Sequence, residues 1–486
     1  MKERFCPSVS SSLKSKALLI SIFHTILTLY ADKTIFQDSP FEHILSFLVI
    51  KAATLLVLFF WWYGVLLIVC RKSHALRQIA LYSLPLFVLM VAWMIYDHPL
   101  KLFGDEYNIF SDVITYDLFP RHFTLFTGLV YAISLSLIPL EYGVVLIKIV
   151  LQALTCGYCT YRLVKAFGKK GFLTYLIFLL VFYKWLYAHR MHFYGLLFLL
   201  LFVKLLMDHY EKKAENNWMI LALLLGFSVL SLWRKEGLYL LLTAPAMVCC
   251  AYRIPWKKCI PVFAAMFAFT IALYIPNTMN VSFTAEDSHT YITWFVHMAR
   301  EGLDLSEYPE EVAIIDEYIS IDTMNRMNAE LGNDNYADNY IVWKEGYIGL
   351  RPDVSSDTIS AFKSAVIRLI IKEPWIFLKT RVGIYLYSAG TFKLPPSPAA
   401  AVITIGRNLH IPMAMILLTF LFSLIKRHWL LFFSTGSLLG HTAITTVFSP
   451  AGYFKYYYHC WLCGWFLIVL TVILVLNRII SSKSKV

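Results

Sequence analysis

The chain has 486 residues, 59% of them hydrophobic and only 15% charged, too few charges to cover the surface of a soluble protein this long. Its formal charge of +12 would suit nucleic acid, but the charge is divided. Residues 277–358 hold sixteen Asp and Glu against four Lys and Arg, while the basic residues gather in short loops between apolar runs. That pattern argues against a nucleic-acid partner and for a polytopic membrane protein.

Apolar runs of about 17–25 residues are long enough to cross a hydrocarbon core of about 30 Å as helices. Twelve runs are candidates: 16–31, 44–70, 78–97, 141–162, 171–189, 191–208, 218–233, 236–252, 258–276, 403–424, 428–448 and 457–477. Three of them (16–31, 218–233 and 236–252) are short, so the expectation is an all-α bundle of about 10–12 transmembrane helices. No small-residue cleavage site follows the first run, which reads as a retained anchor. Basic loops fall at 71–77 ("RKSHALR"), 162–170 ("RLVKAFGKK"), 252–258 ("YRIPWKK"), 426–428 ("KRH") and both termini. Excess Lys and Arg marks cytoplasmic loops, so both termini are expected inside. Residues 98–140, Arg234, the acidic stretch 277–358 and the 453–458 loop then face outward. The segment 122–139 ("HFTLFTGLVYAISLSLIP") would reverse every later loop if it crossed, and is read as a re-entrant or interfacial outer helix.

The expected divisions are an N-terminal bundle at 1–276 with a first large outer loop at 98–140, a periplasmic acidic region with an interfacial helix at 277–376, and C-terminal transmembrane helices at 377–486. No internal repeat is visible, and one large insertion breaks the inverted symmetry common in transporters. Within the insertion, "YITWFVHMAREGL" and "EEVAIIDEYISIDTMNRMNAEL" carry apolar residues at helical spacing, and "LGNDNYADNY" reads as a loop. The segment "SDTISAFKSAVIRLIIKEPWIF" opens with a Ser/Asp cap, is amphipathic, and leads into "LKTRVGIYLY" along the outer interface. The paired cysteines of "CGYC" (156–159) and "CWLC" (460–463) lack partners at ligand spacing and read as small packing residues.

Four outward polar stretches carry candidate chemistry. In "KLFGDEYNIFSD", Asp105 and Glu106 follow a membrane-length run, where a carboxylate can serve as general base toward a hydroxyl. The plainer reading is a pair of solvated loop charges. "LWRKEGLY" puts Arg234, Lys235 and Glu236 into otherwise apolar sequence, either as a tight ion-paired turn or as a phosphate site. In "AHRMHF", His189, Arg190 and His192 read first as an interfacial turn, with Arg190 a second candidate for phosphate. "SPAGYFKYYYHCW" offers Tyr453 and Lys455, either an aromatic belt or a lysine for lipid phosphate beside tyrosines that stack on a sugar.

Taken together, "FGDEYNIF", "RKEG" and "GYFKYYY" resemble, in placement, the GT-C superfamily of membrane glycosyltransferases that use polyprenyl-phosphate sugars. That plan has many helices, an acidic residue or pair in the first large outer loop, interfacial helices, a buried Arg–Glu turn, a soluble outer region and a basic/tyrosine loop near the C-terminus. The resemblance spans most of 78–477. This chain departs from it in having two helices, not one, before the helix that delivers the acidic pair, and Phe454-Lys455 where relatives often have Arg-Tyr. Length, hydropathy and a Lys-rich, Asn-containing style also resemble the phage-encoded serotype-converting O-antigen glucosyltransferases of enteric bacteria. That narrower likeness implies undecaprenyl-phosphate glucose as donor, an O-antigen sugar, commonly rhamnose, on its lipid carrier as acceptor, and the periplasmic face of the inner membrane as location.

The resemblance implies inverting transfer in one step. Asp105 or Glu106 deprotonates the acceptor hydroxyl, and Arg234, with Lys455 or Arg190, neutralises the departing phosphate beside Glu236 and Tyr453. No cofactor is expected, because basic side chains suffice for an anionic leaving group; an acidic pair also suits Mg²⁺ or Mn²⁺. Membrane lipid, a flippase and a donor-synthesising enzyme are the expected partners. The rival readings are a lipid-sugar transporter, which should carry charge at mid-membrane, and an O-antigen polymerase or ligase, which should carry an Arg-rich outer loop.

Overall fold

The computed structural model describes residues 7–96, 102, 104–119, 124–181, 190–214, 216–278, 288–331, 349–351, 354–390, 404, 406, 408–449 and 452–483. Apart from one isolated bridge between Ile319 and Leu350, regular structure among them is helical. Lipid favours helix for long apolar runs, since an α-helix satisfies its backbone polar groups within the segment. In chain order the first helices are α1 (Pro7–Leu27), α2 (Ile44–Val69), α3 (His74–Tyr96), α4 (Asp105–Val113), α5 (Leu125–Leu137), α6 (Gly143–Phe167) and α7 (Thr174–Val181). Then come α8 (Arg190–Tyr210), α9 (Asn217–Trp233), α10 (Leu240–Ala251), α11 (Trp256–Thr278), α12 (His289–Arg300), α13 (Pro309–Asp316) and α14 (Ile321–Leu331). The last are α15 (Ser356–Lys372), α16 (Pro374–Ala389), α17 (His410–Lys426), α18 (Trp429–Phe448) and α19 (Tyr458–Lys483).

Among the described residues, eight helical stretches are long and apolar enough to cross a membrane, so the chain is an all-α, multi-pass membrane bundle. Shorter apolar helices occupy 125–137, 217–233, 236–251 and 410–426. Several boundaries differ from those read in the sequence. The first helix begins at Pro7, and short helical turns at Thr28–Tyr30 and Ala31–Thr34 prolong it, because its polar Ser/Lys start is still compatible with helix. The span expected at 403–424 appears as α17 from His410, with Pro412 in the first turn, where no backbone donor is needed. Of the 171–189 span, the structure describes Thr174–Val181 as helix, and 182–189 lie outside the described residues. Helix α5 has 13 residues, about 20 Å at 1.5 Å per residue, which suits an interfacial helix better than a crossing one.

The chain divides into two compact units. The first contains Met1–Val281, Pro412–Leu438 and Tyr458–Val486. Its helix α8 is mostly buried, whereas α2 and α3 leave most of their apolar surface outside, as lipid-facing helices should. Helices α3 and α6 pack backbone to side chain at Gly157, where a Cβ would meet Ser83 Oγ at 2.1 Å and the Ile79 carbonyl at 2.5 Å. A fully partnered Asp208 fixes one end of α8. Its carboxylate accepts from Arg162 Nη2 at 2.7 Å, Lys204 Nζ at 2.7 Å and the Tyr252 hydroxyl at 2.8 Å. The other end of that helix begins at Arg190.

The second unit contains Ser282–Ile411 and Leu439–Tyr457. Its core is built by helical spacing: Ile292, Phe295, Val296 and Ala299 on α12 face Phe362, Ala365, Val366 and Leu369 on α15, with Ile315, Tyr318 and Ile319 beside them. The segment read as one amphipathic run breaks at Glu373-Pro374 into α15 and α16, because proline opens a helix more readily than it continues one. Ser355 caps α15 by accepting from the Thr358 N–H at 3.1 Å. Residues 439–457 join this unit through the end of α18. Trp294 Nε1 donates to the Val447 carbonyl at 2.8 Å, and buried Arg381 donates to the Val447 and Ser449 carbonyls at 3.3 and 3.4 Å. These are orphan carbonyls of a helix terminus, the negative end of its dipole. Arg381 Nη2 also reaches His297 Nδ1 at 2.9 Å; burial first, then Arg381 and Arg300, hold that imidazole well below its usual range, so it accepts as the neutral form.

Candidate functional site

The acidic pair opens helix α4. Gly104 precedes it with φ 53° and ψ −125°, a backbone conformation that side chains other than hydrogen oppose, and its carbonyl accepts the first N–H groups of the helix from Tyr107 and Asn108. Two carboxylates in a first turn are favoured by the unpaired N–H groups there. "GDE" is therefore a helix start rather than a loose loop.

Arg190, the first residue of α8, sits across both carboxylates. Its Nη1 donates to Glu106 Oε1 at 2.9 Å, its Nη2 to Asp105 Oδ2 at 3.2 Å, and its backbone N–H to Glu106 Oε2 at 3.2 Å. The Tyr131 hydroxyl, from α5, donates to the same Glu106 oxygen. The two acids are not equivalent: the Glu106 side chain is 3% exposed and the Asp105 side chain 43%. Glu106 is a buried anion whose oxygens are taken up by a cation, a backbone amide and a phenol. Asp105 shares the Arg190 guanidinium with it and keeps an exposed side.

The second pair lies where α9 ends. Arg234 is extended (φ −139°, ψ 141°), and a tight turn over Lys235–Tyr239 follows. Gly237 is required there, because a Cβ would lie 2.7 Å from the Leu230 carbonyl and 2.9 Å from that of Ser231. Arg234 grips Glu236 with two nitrogens, Nε to Oε2 at 3.1 Å and Nη2 to Oε1 at 2.8 Å, and its Nη1 approaches Met191 Sδ at 3.4 Å. Met191 follows Arg190, so the two arginines are carried by neighbouring stretches of one unit. Helix α5 spans both: Tyr131 holds Glu106, Thr127 Oγ1 accepts from Trp233 Nε1 at 3.1 Å, and Thr124 Oγ1 donates to the Trp233 carbonyl at 3.5 Å.

Of the residues singled out in the sequence, Asp105, Glu106 and Arg190 thus come together, and Arg234 with Glu236 lies next to them through Met191 and Trp233. His192 is buried with its ring 4.8 Å from that of Tyr458, and His189 lies outside the described residues. Lys455 and Tyr453 belong to the second unit, where the Lys455 ammonium lies 4.8 Å from the Tyr453 ring and 5.6 Å from that of Tyr456. Tyr131, Thr127, Trp233 and Met191 escaped the sequence reading. A signal existed at α5: its N-cap Thr124, with Thr127 and Tyr131 on the helix, repeat at i, i+3 and i+7, a polar stripe along a mainly apolar segment.

Among the described residues, no three His, Cys, Asp or Glu side chains gather as a metal-binding group. The arrangement can accept a proton at Asp105 and present guanidinium groups to an anion. No family model matches this chain, and neither a curated protein nor a solved structure does.

Proposed function

We propose that this chain is an inverting glycosyltransferase. It moves a sugar, glucose by preference, from undecaprenyl phosphate to O-antigen or a related lipid-linked glycan at the periplasmic face of the inner membrane. One observation carries the reading: two adjacent carboxylates share Arg190 at a helix start, yet one is sealed and the other open. A pair of idle loop charges needs no such division. Glu106 orients Arg190, and Asp105, the more exposed of the two, takes the proton.

In the proposed step the acceptor hydroxyl attacks the anomeric carbon from the face opposite the phosphate. The new C–O bond forms as the old one breaks, Asp105 takes the hydroxyl proton, and the electron pair leaves on the undecaprenyl phosphate oxygen. Arg190 and Arg234 are the groups best suited to the charge that gathers there, since a planar guanidinium matches phosphate oxygens. The apolar tail of such a donor suits a site borne on helices that continue into lipid.

The test uses membranes containing the full chain, a panel of radiolabelled undecaprenyl-phosphate sugars and lipid-linked O-antigen. Label passing to the glycan with wild type but not with Asp105→Asn supports the proposal. No transfer from any donor in the panel overturns it.

A further inference from the structure

The first two helices carry a buried charged network that the proposed chemistry does not use. Lys51 lies about 10 Å along α2 from its start, a costly place for a charge unless it is partnered. Its ammonium pairs with Asp32 at 2.8 Å and donates to the Thr28 carbonyl and hydroxyl, both at 3.3 Å. Asp32 accepts a hydrogen bond of 3.1 Å from the Tyr116 hydroxyl. Burial first, then the Asp32 carboxylate, push that phenol up, so it remains the donor.

Tyr116 sits three residues past the end of α4, the helix of the acidic pair. It is a non-glycine residue at φ 61°, a conformation that costs about 1–2 kcal/mol and persists only where its surroundings over-determine it. Those surroundings come from the start of the chain. The Tyr116 ring stacks on Phe36 at 4.6 Å and 16°, meets Phe47 edge-on at 6.3 Å, and lies 6.2 Å from the His43 ring. The neighbouring Ile114 carbonyl accepts from the Gln37 N–H at 2.8 Å. Helix α4 has only nine residues, too short to be stable by itself, so anchors at its two ends decide where Asp105 points. Arg190 and Tyr131 hold one end, and this latch holds the other.

We infer that Asp32, Lys51 and Tyr116 are positioning residues: the first two helices serve as a bracket that sets the register of α4, and with it the proton acceptor, through the Tyr116 hydroxyl. The inference rests on the glycosyl-transfer reading for its kinetic consequence, but not for its geometric one. A misplacement of about 1 Å at a reacting group can cost on the order of 10²-fold in rate.

Tyr116→Phe keeps the ring and removes only the hydroxyl. It should lower kcat for transfer roughly 10-fold to 100-fold, with donor KM and protein abundance unchanged. Asp32→Asn strands the Lys51 charge and should lower abundance. Asp32→Asn with Lys51→Met removes both charges yet keeps an acceptor for the phenol, and should restore abundance and kcat together. Alongside, spin labels at Tyr107→Cys and Leu140→Cys in a cysteine-free full chain report the placement of α4. Tyr116→Phe should broaden their distance distribution. Should wild type transfer no sugar, the glycosyl-transfer reading falls and the distance arm alone decides the bracket. Normal kcat and an unchanged distribution in Tyr116→Phe would overturn it, as would loss of activity only in proportion to lost protein.

Discussion

Asp105→Asn and Glu106→Gln should fail in different ways, although the two residues are neighbours with the same charge. The Asp105 side chain is 43% exposed and meets Arg190 at the rim, so neutralising it should change stability by no more than about 1 kcal/mol. Asparagine keeps the size and the hydrogen bond but cannot take a proton. Removing a general base typically costs 10²–10⁴-fold, so kcat should fall at least ~10²-fold, about 2.7 kcal/mol in barrier, with donor binding kept. Glu106 is buried, and both its oxygens accept from donors. A glutamine must turn its NH₂ toward either Arg190 Nη1 or the Arg190 backbone N–H, donor against donor, and leave the Arg190 charge short of a partner. Breaking a buried pair in this way costs roughly 3–5 kcal/mol, enough to deplete folded protein. Initial rates of label transfer, normalised to protein recovered as a single species in detergent, together with thermal melts, separate the outcomes. Asp105→Asn with wild-type kcat would refute the assignment of the base. Glu106→Gln with a normal melt would refute the account of the sealed anion.

Arg234→Lys keeps a cation for Glu236 but loses the planar fork, so it should cut transfer sharply while leaving abundance near normal, measured by rate and immunoblot; lost protein instead of lost rate would make the Arg234–Glu236 pair purely structural. Cysteine at Tyr107 should react with an impermeant thiol reagent from outside intact cells, and cysteine at Ser73 should not; the reverse pattern would invert the expected topology. In the second unit, Lys372 donates to Glu311 at 2.6 Å and holds its carboxyl below the usual range. A depressed folded pKa stabilises above the ordinary carboxylate value, near 4.3, and is lost as pH falls through the folded value. Acid melts of the full chain should therefore show a weaker low-pH limb in Glu311→Gln than in wild type.

Much of the fold is legible in the sequence because lipid imposes it. A mainly apolar run such as Arg190–Tyr210 makes a 21-residue helix, about 31 Å long, and few other structures satisfy its backbone there. The Glu373-Pro374 break is signalled by proline alone, but amphipathic spacing runs on through it and masks it. The site is legible as residue types, not as partnerships. Arg190 reads as a phosphate candidate, but nothing in "AHRMHF" tells that its guanidinium lies on carboxylates 84 and 85 positions earlier. Tyr116 shows the limit most clearly. Its strained backbone and its bond to Asp32 arise from packing between distant segments, which periodicity and propensity do not encode.

The central claim is that one glycosidic bond forms for each undecaprenyl phosphate released. Purified full chain in lipid nanodiscs, given labelled undecaprenyl-phosphate glucose and lipid-linked O-antigen, tests it in a single turnover. Equal amounts of free undecaprenyl phosphate and glucosylated acceptor, with the anomeric configuration inverted, are the predicted result. Intact donor recovered after prolonged incubation, or donor moved across a sealed vesicle without bond cleavage, would contradict it.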